Sequence, residues 1–255
     1  MAFKTEDIVF DGKPVYCFRG RDILLQGDGT PAGAGCLHAL SVSSALEDTL
    51  SGLCGVELSP DTSVPEGCRF IPLRHYFASN GDSESARAAR MKAYLNWKDG
   101  MRFCPSCGAE LKTHGSENAL QCPSCGKIYY PRISPCVITV ITRGDEILLL
   151  RHRQRNQDIW CCLAGFVEAG ESLERALARE IMEETGLEVE NIHYAGSQSW
   201  PFPDQLMLAF YAVYKKGELK VQEDEIIEAR WFKRTELPAH PSQGSISWRL
   251  IHFDF

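Results

Sequence analysis

The sequence predicts a mixed α/β protein made of more than one small unit. Three observations carry that expectation. Two β-rich runs flank a tight turn in CVITVITRGDEILLLRHR, a capped amphipathic helix follows in GFVEAGESLERALAREIMEETGL, and two matching Cys-Pro-Ser-Cys-Gly knuckles stand just before both. With 255 residues, 44% of them apolar, the chain can bury a substantial core. Its formal net charge of −7 and pI of about 5.6 argue against a broad basic face for duplex nucleic acid, though not against a local basic pocket.

The chain divides by composition. Residues 1 to about 75 mix short alternating apolar runs (YCFRGRDILLQ) with turn-rich stretches (GDGTPAGAGC), as a small α/β or α+β region would. One piece of it, SVSSALEDTLSGL, reads as weakly helical. In SNGDSESARAARMKAYLNWKDGM a polar loop leads into a helix with Ala, Met, Leu and Trp at helical spacing. After the knuckles, Arg143-Gly144-Asp145 reads as a hairpin turn between two strands. MAFKTEDIVF has no long apolar leader, no run is long enough to span a bilayer, and IHFDF matches no retention or lipidation signal. The expectation is a soluble cytoplasmic protein with no membrane partner.

Eleven cysteines in a chain of this size, an odd count with no secretory leader, do not suggest a disulfide scaffold. Cys17, Cys36, Cys54, Cys68, Cys136, Cys161 and Cys162 lack metal-ligand spacing and read as small buried hydrophobes. Cys104, Cys107, Cys122 and Cys125 differ. Each Cys-x-x-Cys turn aims two thiolates at one point, and the glycine after it supplies a positive φ. Two such turns offer four soft ligands in a tetrahedron, which suits one structural Zn²⁺ with no open position. A redox pair or buried thiols would not need two matching knuckles.

In the helix, Ser172 is placed to cap the N-terminus, Glu171 puts a negative charge beside it, and Gly186 stops the C-terminus. At about 100° per residue, Leu173, Leu177, Glu180 and Glu184 fall within an arc of about 60°. Ile181 and Ala176 flank that arc, Glu183 lies just beyond on the Ala176 side, and Arg175, Ala178 and Met182 point the opposite way. The leucines therefore anchor the first half on a core, while the second half turns glutamates into a half-buried cleft. Crowded carboxylates repel, and a divalent cation relieves the repulsion; hard oxygen ligands favour Mg²⁺ or Mn²⁺. The plainer alternative is a solvated acidic helix.

Gly165, Glu171, Arg179-Glu180-Ile181-x-Glu183-Glu184-x-Gly186-Leu187 matches every specified position of the Nudix box, so the stretch resembles the Nudix hydrolases. That resemblance implies a Nudix α/β/α sandwich, preceded here by a zinc ribbon and a small N-terminal α/β domain. The boundaries it suggests are 1–98, 99–131 and 132–255. It implies a hydrolase of a diphosphate joined to another group. Gly165 and Gly170 would let the loop bend, and Arg179 would orient glutamates through a charged hydrogen bond.

Downstream, Ser197-Gln198-Ser199-Trp200-Pro201-Phe202-Pro203-Asp204-Gln205 sets two prolines among two aromatics, a stiff surface suited to stacking on a base or nicotinamide. Taken by itself it fits an ordinary aromatic loop packed on a core. It is similar to the SQPWPFPxS motif of the zinc-ribbon-containing NADH diphosphatases, with Ser199 for Pro and Gln205 for the last Ser. The resemblance covers roughly residues 99–238. It implies hydrolysis of NAD(H) to NMN(H) and AMP by a homodimer using Mg²⁺ or Mn²⁺. Glu180 and Glu184 would hold metal, with the Ala164 carbonyl and Glu225 as further ligands; Glu225 also fits an acidic loop. Glu183 would be the base or would orient it. Tyr130, Glu117, Arg74, Ser247 and the 198–205 loop (Gln198, Ser199, Trp200, Pro201, Phe202, Pro203, Asp204, Gln205) would contact substrate, although Glu117, Arg74 and Ser247 fit plain surface roles equally. The same bond is broken when an NAD cap is removed from RNA, for which Arg132, Arg151, Arg153 and Arg155 offer basic groups. Another nucleoside diphosphate derivative, or a nucleic-acid-binding module carrying a relic hydrolase, are the rival readings; the complete glutamate set speaks against a relic.

Overall fold

The computed structural model describes residues 3–4, 12–37, 40–153 and 158–255. Two compact units emerge, 1–133 together with 200–204, and 134–199 together with 205–255.

In the first unit, period-two alternation builds a two-faced sheet. Strand β1 is Phe3–Lys4, β2 Val15–Arg19, β3 Asp22–Gln26, β4 Ser41–Glu47, β5 Cys54–Leu58 and β6 Cys68–Pro72, ordered β1-β4-β5-β2-β3-β6. Helices α1 (Leu73–Ser79) and α2 (Asp82–Gly100) cover one face. Tyr16, Phe18, Ile23 and Leu25 point to that face, among Leu73, Tyr76, Met91 and Leu95. Val15, Cys17 and Leu24 point the other way, among Leu37, Val42, Val56 and Leu58. Gly55 lets α2 approach closely: a Cβ there would lie 3.3 Å from Leu95 and Met91, a tight contact that they would have to yield to.

SVSSALEDTLSGL is not helical. Its first seven residues form β4, hydrogen-bonded to β5 from Val42↔Leu58 to Glu47↔Cys54 with a bulge between Val42 and Ser44. Val, Ser and Thr are indifferent helix formers, and a partner strand supplies a backbone ladder that an isolated weak helix cannot match. The strand ends where the Asp48 carboxylate accepts from the Leu50 N–H, an Asx turn. Of the seven cysteines outside the knuckles, Cys17, Cys54, Cys136 and Cys162 are buried, whereas Cys36, Cys68 and Cys161 are half-buried.

Three short strands, β7 (Lys112–Thr113), β8 (Leu120–Gln121) and β9 (Ile128–Tyr129), form an antiparallel ribbon beneath the knuckles. Trp200 and Phe202 pack onto the helical side of the first unit's core.

The second unit is a mixed sheet of β10 (Ser134–Arg143), β11 (Glu146–His152), β12 (Leu163–Phe166), β13 (Glu188–Trp200), β14 (Gln205–Lys216) and β15 (Ile226–Lys233). Its order is β13-β14-β10-β11-β15, with β12 beside the first half of β10. The expected hairpin joins β10 and β11; Arg143 already pairs with Glu146, so the turn is Gly144-Asp145, with Gly144 at φ +62°. Helix α3 (Leu173–Thr185) buries Ala176, Leu177 and Ile181 against Val137, Ile141, Leu148 and Leu163. Helix α4 (Ile246–His252) packs on β10 and β14, and the Ser247 hydroxyl accepts from the Cys162 N–H at 3.4 Å. Cys162 and Leu163 are consecutive in an extended segment, so α3 and α4 lie on opposite faces of the sheet. No helix among the described residues is long and apolar enough to cross a membrane.

Candidate active site

Helix α3 starts and stops where its sequence dictates. The Ser172 hydroxyl accepts from the Arg175 N–H, and Gly186 adopts φ +70° while its N–H bonds the Met182 carbonyl. The predicted faces hold. Arg175, Ala178 and Met182 are exposed, Glu184 is 3% exposed, and the side chains of Glu180 and Glu183 are 14% and 52% exposed. The carboxylates thus grade from the core to the surface along one edge.

Arg179 ties that edge to the preceding loop. Its Nε and Nη2 donate to the two oxygens of Glu171 at 2.7 and 2.9 Å, a bidentate pair. Its Nη1 donates to Glu180 at 2.9 Å and to Glu183 at 3.0 Å, and Nη2 also reaches the Phe166 carbonyl at 3.0 Å. Glu171 additionally accepts from the Glu168 N–H at 3.0 Å. The Arg179 guanidinium, and then that N–H, hold the Glu171 carboxyl down to about 2. Glu171 and its neighbours in turn hold the guanidinium proton more firmly than usual. The sequence placed Glu171 only as a charge at the helix terminus; that it anchors an arginine eight residues on is a loop contact with no periodic signal.

Glu180 moves the opposite way. Burial raises its pKa, Arg179 opposes the rise, and the nearby charges of Glu183 and Glu225 reinforce it. The effect of Glu225, an exposed residue just before β15, brings it into the field of the α3 carboxylates from outside the box. Ala164 sits in β12 opposite Ile138 and is buried.

Gly165 has a different role from the expected bend. It is a strand residue of β12, opposite Val137. A Cβ there would lie 1.9 Å from the Glu180 Cδ and 2.1 and 2.2 Å from its oxygens. The glycine is a seat for the Glu180 carboxylate. Gly170, at φ +90°, does make the bend.

The knuckles repeat each other. The N–H groups of Gly108 and Gly126 donate to the carbonyls of Cys104 and Cys122 at 2.9 and 3.0 Å, with φ of +75° and +74°. All four cysteine ligand atoms lie within 4.8 Å of one another, with Cys104–Cys125 at 3.7 Å and Cys107–Cys122 at 3.4 Å. Zinc–thiolate bonds of about 2.3 Å would set tetrahedral sulfur–sulfur edges of about 3.8 Å, so the donor set fits that ion. The Tyr129 hydroxyl, 3.2 Å away, is the main influence lowering the Cys104 thiol to about 6. Among the described residues no other group of three or more His, Cys, Asp or Glu converges this closely. Glu180 and Glu183 are instead drawn to Arg179.

The expected substrate positions fall into separate groups. The exposed Tyr130 hydroxyl donates to Glu117 at 2.7 Å. Arg74 lies over the rings of Trp200 and Phe202 at 5.5 and 5.2 Å. Trp200 meets Phe77 at 5.9 Å and Phe202 at 5.2 Å, and both rings are half-buried. Pro201 is buried, while Ser199 and Pro203 are exposed. Asp204 pairs with Arg132 at 2.7 Å, and Gln205 opens β14 opposite Ser134. The Gln198 amide is spent on the chain itself, donating to the Gly244 carbonyl and accepting from the Ile246 N–H, both at 2.8 Å. Ser247 is buried. Asn96, not foreseen, donates to the carbonyls of Pro201 and Pro203 at 3.2 and 2.9 Å. Arg151 pairs with Glu228 at 2.6 Å, Arg153 donates to the Glu223 carbonyl at 2.5 Å, and Arg155 lies outside the described residues.

The chain is similar to known proteins. The NUDIX domain family matches residues 132–251. The chain is 44% identical over 197 residues to a protein of Pseudomonas aeruginosa called NAD-capped RNA hydrolase NudC, covering 77% of this chain and 70% of that one. It is 45% identical over 150 residues to the protein of the same name from Escherichia coli O1:K1 / APEC, covering 59% and 58%. A crystal structure of a NUDIX hydrolase from Nitrosomonas europaea is 28% identical, covers 54% of this chain and 81% of that one, and has a TM-score of 0.48.

Proposed function

The chain belongs to the NUDIX hydrolases, in the group that includes NAD-capped RNA hydrolase NudC, and from that premise we propose that it hydrolyses the diphosphate of NAD(H) to NMN(H) and AMP. One observation carries the reading: a complete set of box carboxylates, graded from buried Glu184 to exposed Glu183, with Glu180 and Glu183 held by Arg179. The name of the relatives supports a second substrate with the same bond, the NAD cap of RNA.

The residues fit a hard divalent cation. Glu180 is desolvated beside other carboxylates, and Gly165 leaves its oxygens a space that any side chain would fill. Glu180, Glu184, Glu225 and the Ala164 carbonyl would hold Mg²⁺ or Mn²⁺. The bound cations supply neutralisation of the diphosphate charge and acidify a water. Arg179 fixes the direction of Glu180 and Glu183, and Glu171 fixes Arg179. Water attacks one phosphorus in line with the bridging oxygen, the bond from that phosphorus to the bridge breaks so that the oxygen leaves with the other phosphate, and Glu183, the most exposed of the three, takes the water's proton. Tyr130, Glu117 and the 198–205 loop would bind the rest of the dinucleotide. Zn²⁺ would hold the ribbon. We further propose an N-terminal domain (1–98), a ribbon (99–131) and a hydrolase domain (132–255) in a cytoplasmic homodimer.

The test offers purified protein NADH, NAD⁺, ADP-ribose, diadenosine polyphosphates and NAD-capped RNA with Mn²⁺, separates products and compares kcat/KM. Release of NMN(H) and AMP, abolished by EDTA and restored by Mg²⁺ or Mn²⁺, is expected. A higher kcat/KM for ADP-ribose than for every NAD-bearing substrate would overturn the assignment.

A further inference from the structure

Asn118, in the loop between the two cysteine pairs, anchors that loop to the turn that follows β4. Its Oδ1 accepts from both the N–H and the hydroxyl of Thr49, at 2.9 and 2.8 Å, and its Nδ2 donates to Asp48 at 2.5 Å. Asp48 is fully buried at the end of β4. Its carboxylate also receives Arg90 of α2, the Ser51 hydroxyl and the Leu50 N–H at 3.0 Å. A buried carboxylate saturated by an arginine, a hydroxyl, an amide and a backbone N–H is a rigid anchor, because moving any donor strands a charge in the interior. The Arg90 guanidinium is itself packed over the Tyr94 ring at 4.9 Å.

Directly beside Asn118 stands Glu117, whose carboxylate accepts from Tyr130 across the ribbon. The Ala119 N–H donates to the Glu117 carbonyl at 2.8 Å, which tightens the chain around the anchored residue. Glu117 is exposed, and this tight loop and the Tyr130 bond constrain its direction. We infer that Asn118 and Asp48 are positioning residues: they lock the loop so that Glu117 and Tyr130 present one fixed pair of polar groups to the dinucleotide. The inference rests on the reading of Glu117 and Tyr130 as substrate contacts.

A double-mutant cycle tests it on the full-length, zinc-loaded protein, with NAD⁺ as substrate. Asn118→Ala is expected to raise KM roughly tenfold with kcat nearly unchanged, as displacement of a binding group does. Zinc content should stay at one per chain. Glu117→Ala should raise KM by a similar factor, and adding Asn118→Ala to it should change KM no further. Thr49→Val, which keeps the backbone donor and removes one hydroxyl, gives a milder rise of the same kind and covers the case in which Asn118→Ala fails to fold. Factors that multiply in the double variant, or an unchanged KM in both Asn118→Ala and Thr49→Val while Glu117→Ala raises it, overturn the positioning role alone. An unchanged KM in Glu117→Ala overturns the substrate reading of that residue and the inference with it.

Discussion

Replacing Gly165 by Ala probes the seat of Glu180 with a single methyl group. The new Cβ would stand 1.9 Å from the Glu180 Cδ. Carbon atoms settle no closer than about 3.5 Å, so the carboxylate must withdraw by roughly 1.6 Å. Displacement of a catalytic group by about 1 Å costs about 100-fold in rate, which is about 2.7 kcal/mol of transition-state stabilisation. Stability should hardly change. Gly165 lies in a strand outside the positive-φ glycines, so alanine is tolerated by the backbone, and the Glu180 side chain can swing away. The expected result is a kcat/KM for NADH about 100-fold lower, weaker Mn²⁺ activation, and a Tm within a few degrees of wild type. A G165A/E180D double variant, whose carboxylate is one methylene shorter, should recover part of the loss. Full activity in G165A with undiminished Mn²⁺ affinity would refute the claim that this glycine exists to seat Glu180.

Other consequences can be measured in the same way. Glu183→Gln should lower kcat by about 10²- to 10⁴-fold with an unchanged circular dichroism spectrum; near-normal turnover removes Glu183 from the chemistry. Glu180 has a raised pKa, and a protonated carboxyl does not hold a cation, so the acidic limb of kcat/KM should lie above the ordinary glutamate value of 4.5. The sign for stability follows: neutral Glu180 favours the folded, cation-free protein below about pH 4.5, and that contribution is lost as pH rises through the raised value. Mn²⁺ should therefore raise Tm more at pH 7.5 than at pH 5, and equal shifts would contradict it. Glu171 behaves in the opposite sense, its contribution present above about 4.5 and lost as pH falls through about 2, so Glu171→Gln should flatten the stability curve in that acid window. Cys104→Ser should lose bound zinc and expose the ribbon to limited proteolysis; full zinc retention on atomic analysis would show that the knuckles do not act as a closed four-thiolate site.

Local signals in the chain were sufficient for several features. Helix α3 begins at Ser172 and ends at Gly186 because capping and left-handed termination are decided within a few residues. The hairpin at Gly144 and the convergence of Cys104, Cys107, Cys122 and Cys125 are equally local, since short turns fix where their side chains aim. The box itself announced its glutamates and Arg179, and helical periodicity separated buried Glu184 from exposed Met182.

Contacts between segments distant in the sequence were settled by packing. SVSSALE became a strand because β5 offered it a partner. Trp200 and Phe202, which read either as a stacking surface or as a loop packed on a core, lie half-buried against Phe77 and each other at the edge of the first unit's core. Gly165 makes room for a carboxylate fifteen residues on, and Glu171 grips Arg179 across a loop; neither spacing belongs to a helix or a strand, so no periodicity reports it. The sequence alone thus determined the chemistry of the donors and the helix and turns that carry them, because those depend on near neighbours. Only the tertiary structure decided how far each carboxylate is buried and what holds it there, because burial is a property of what folds over a residue rather than of the residue itself.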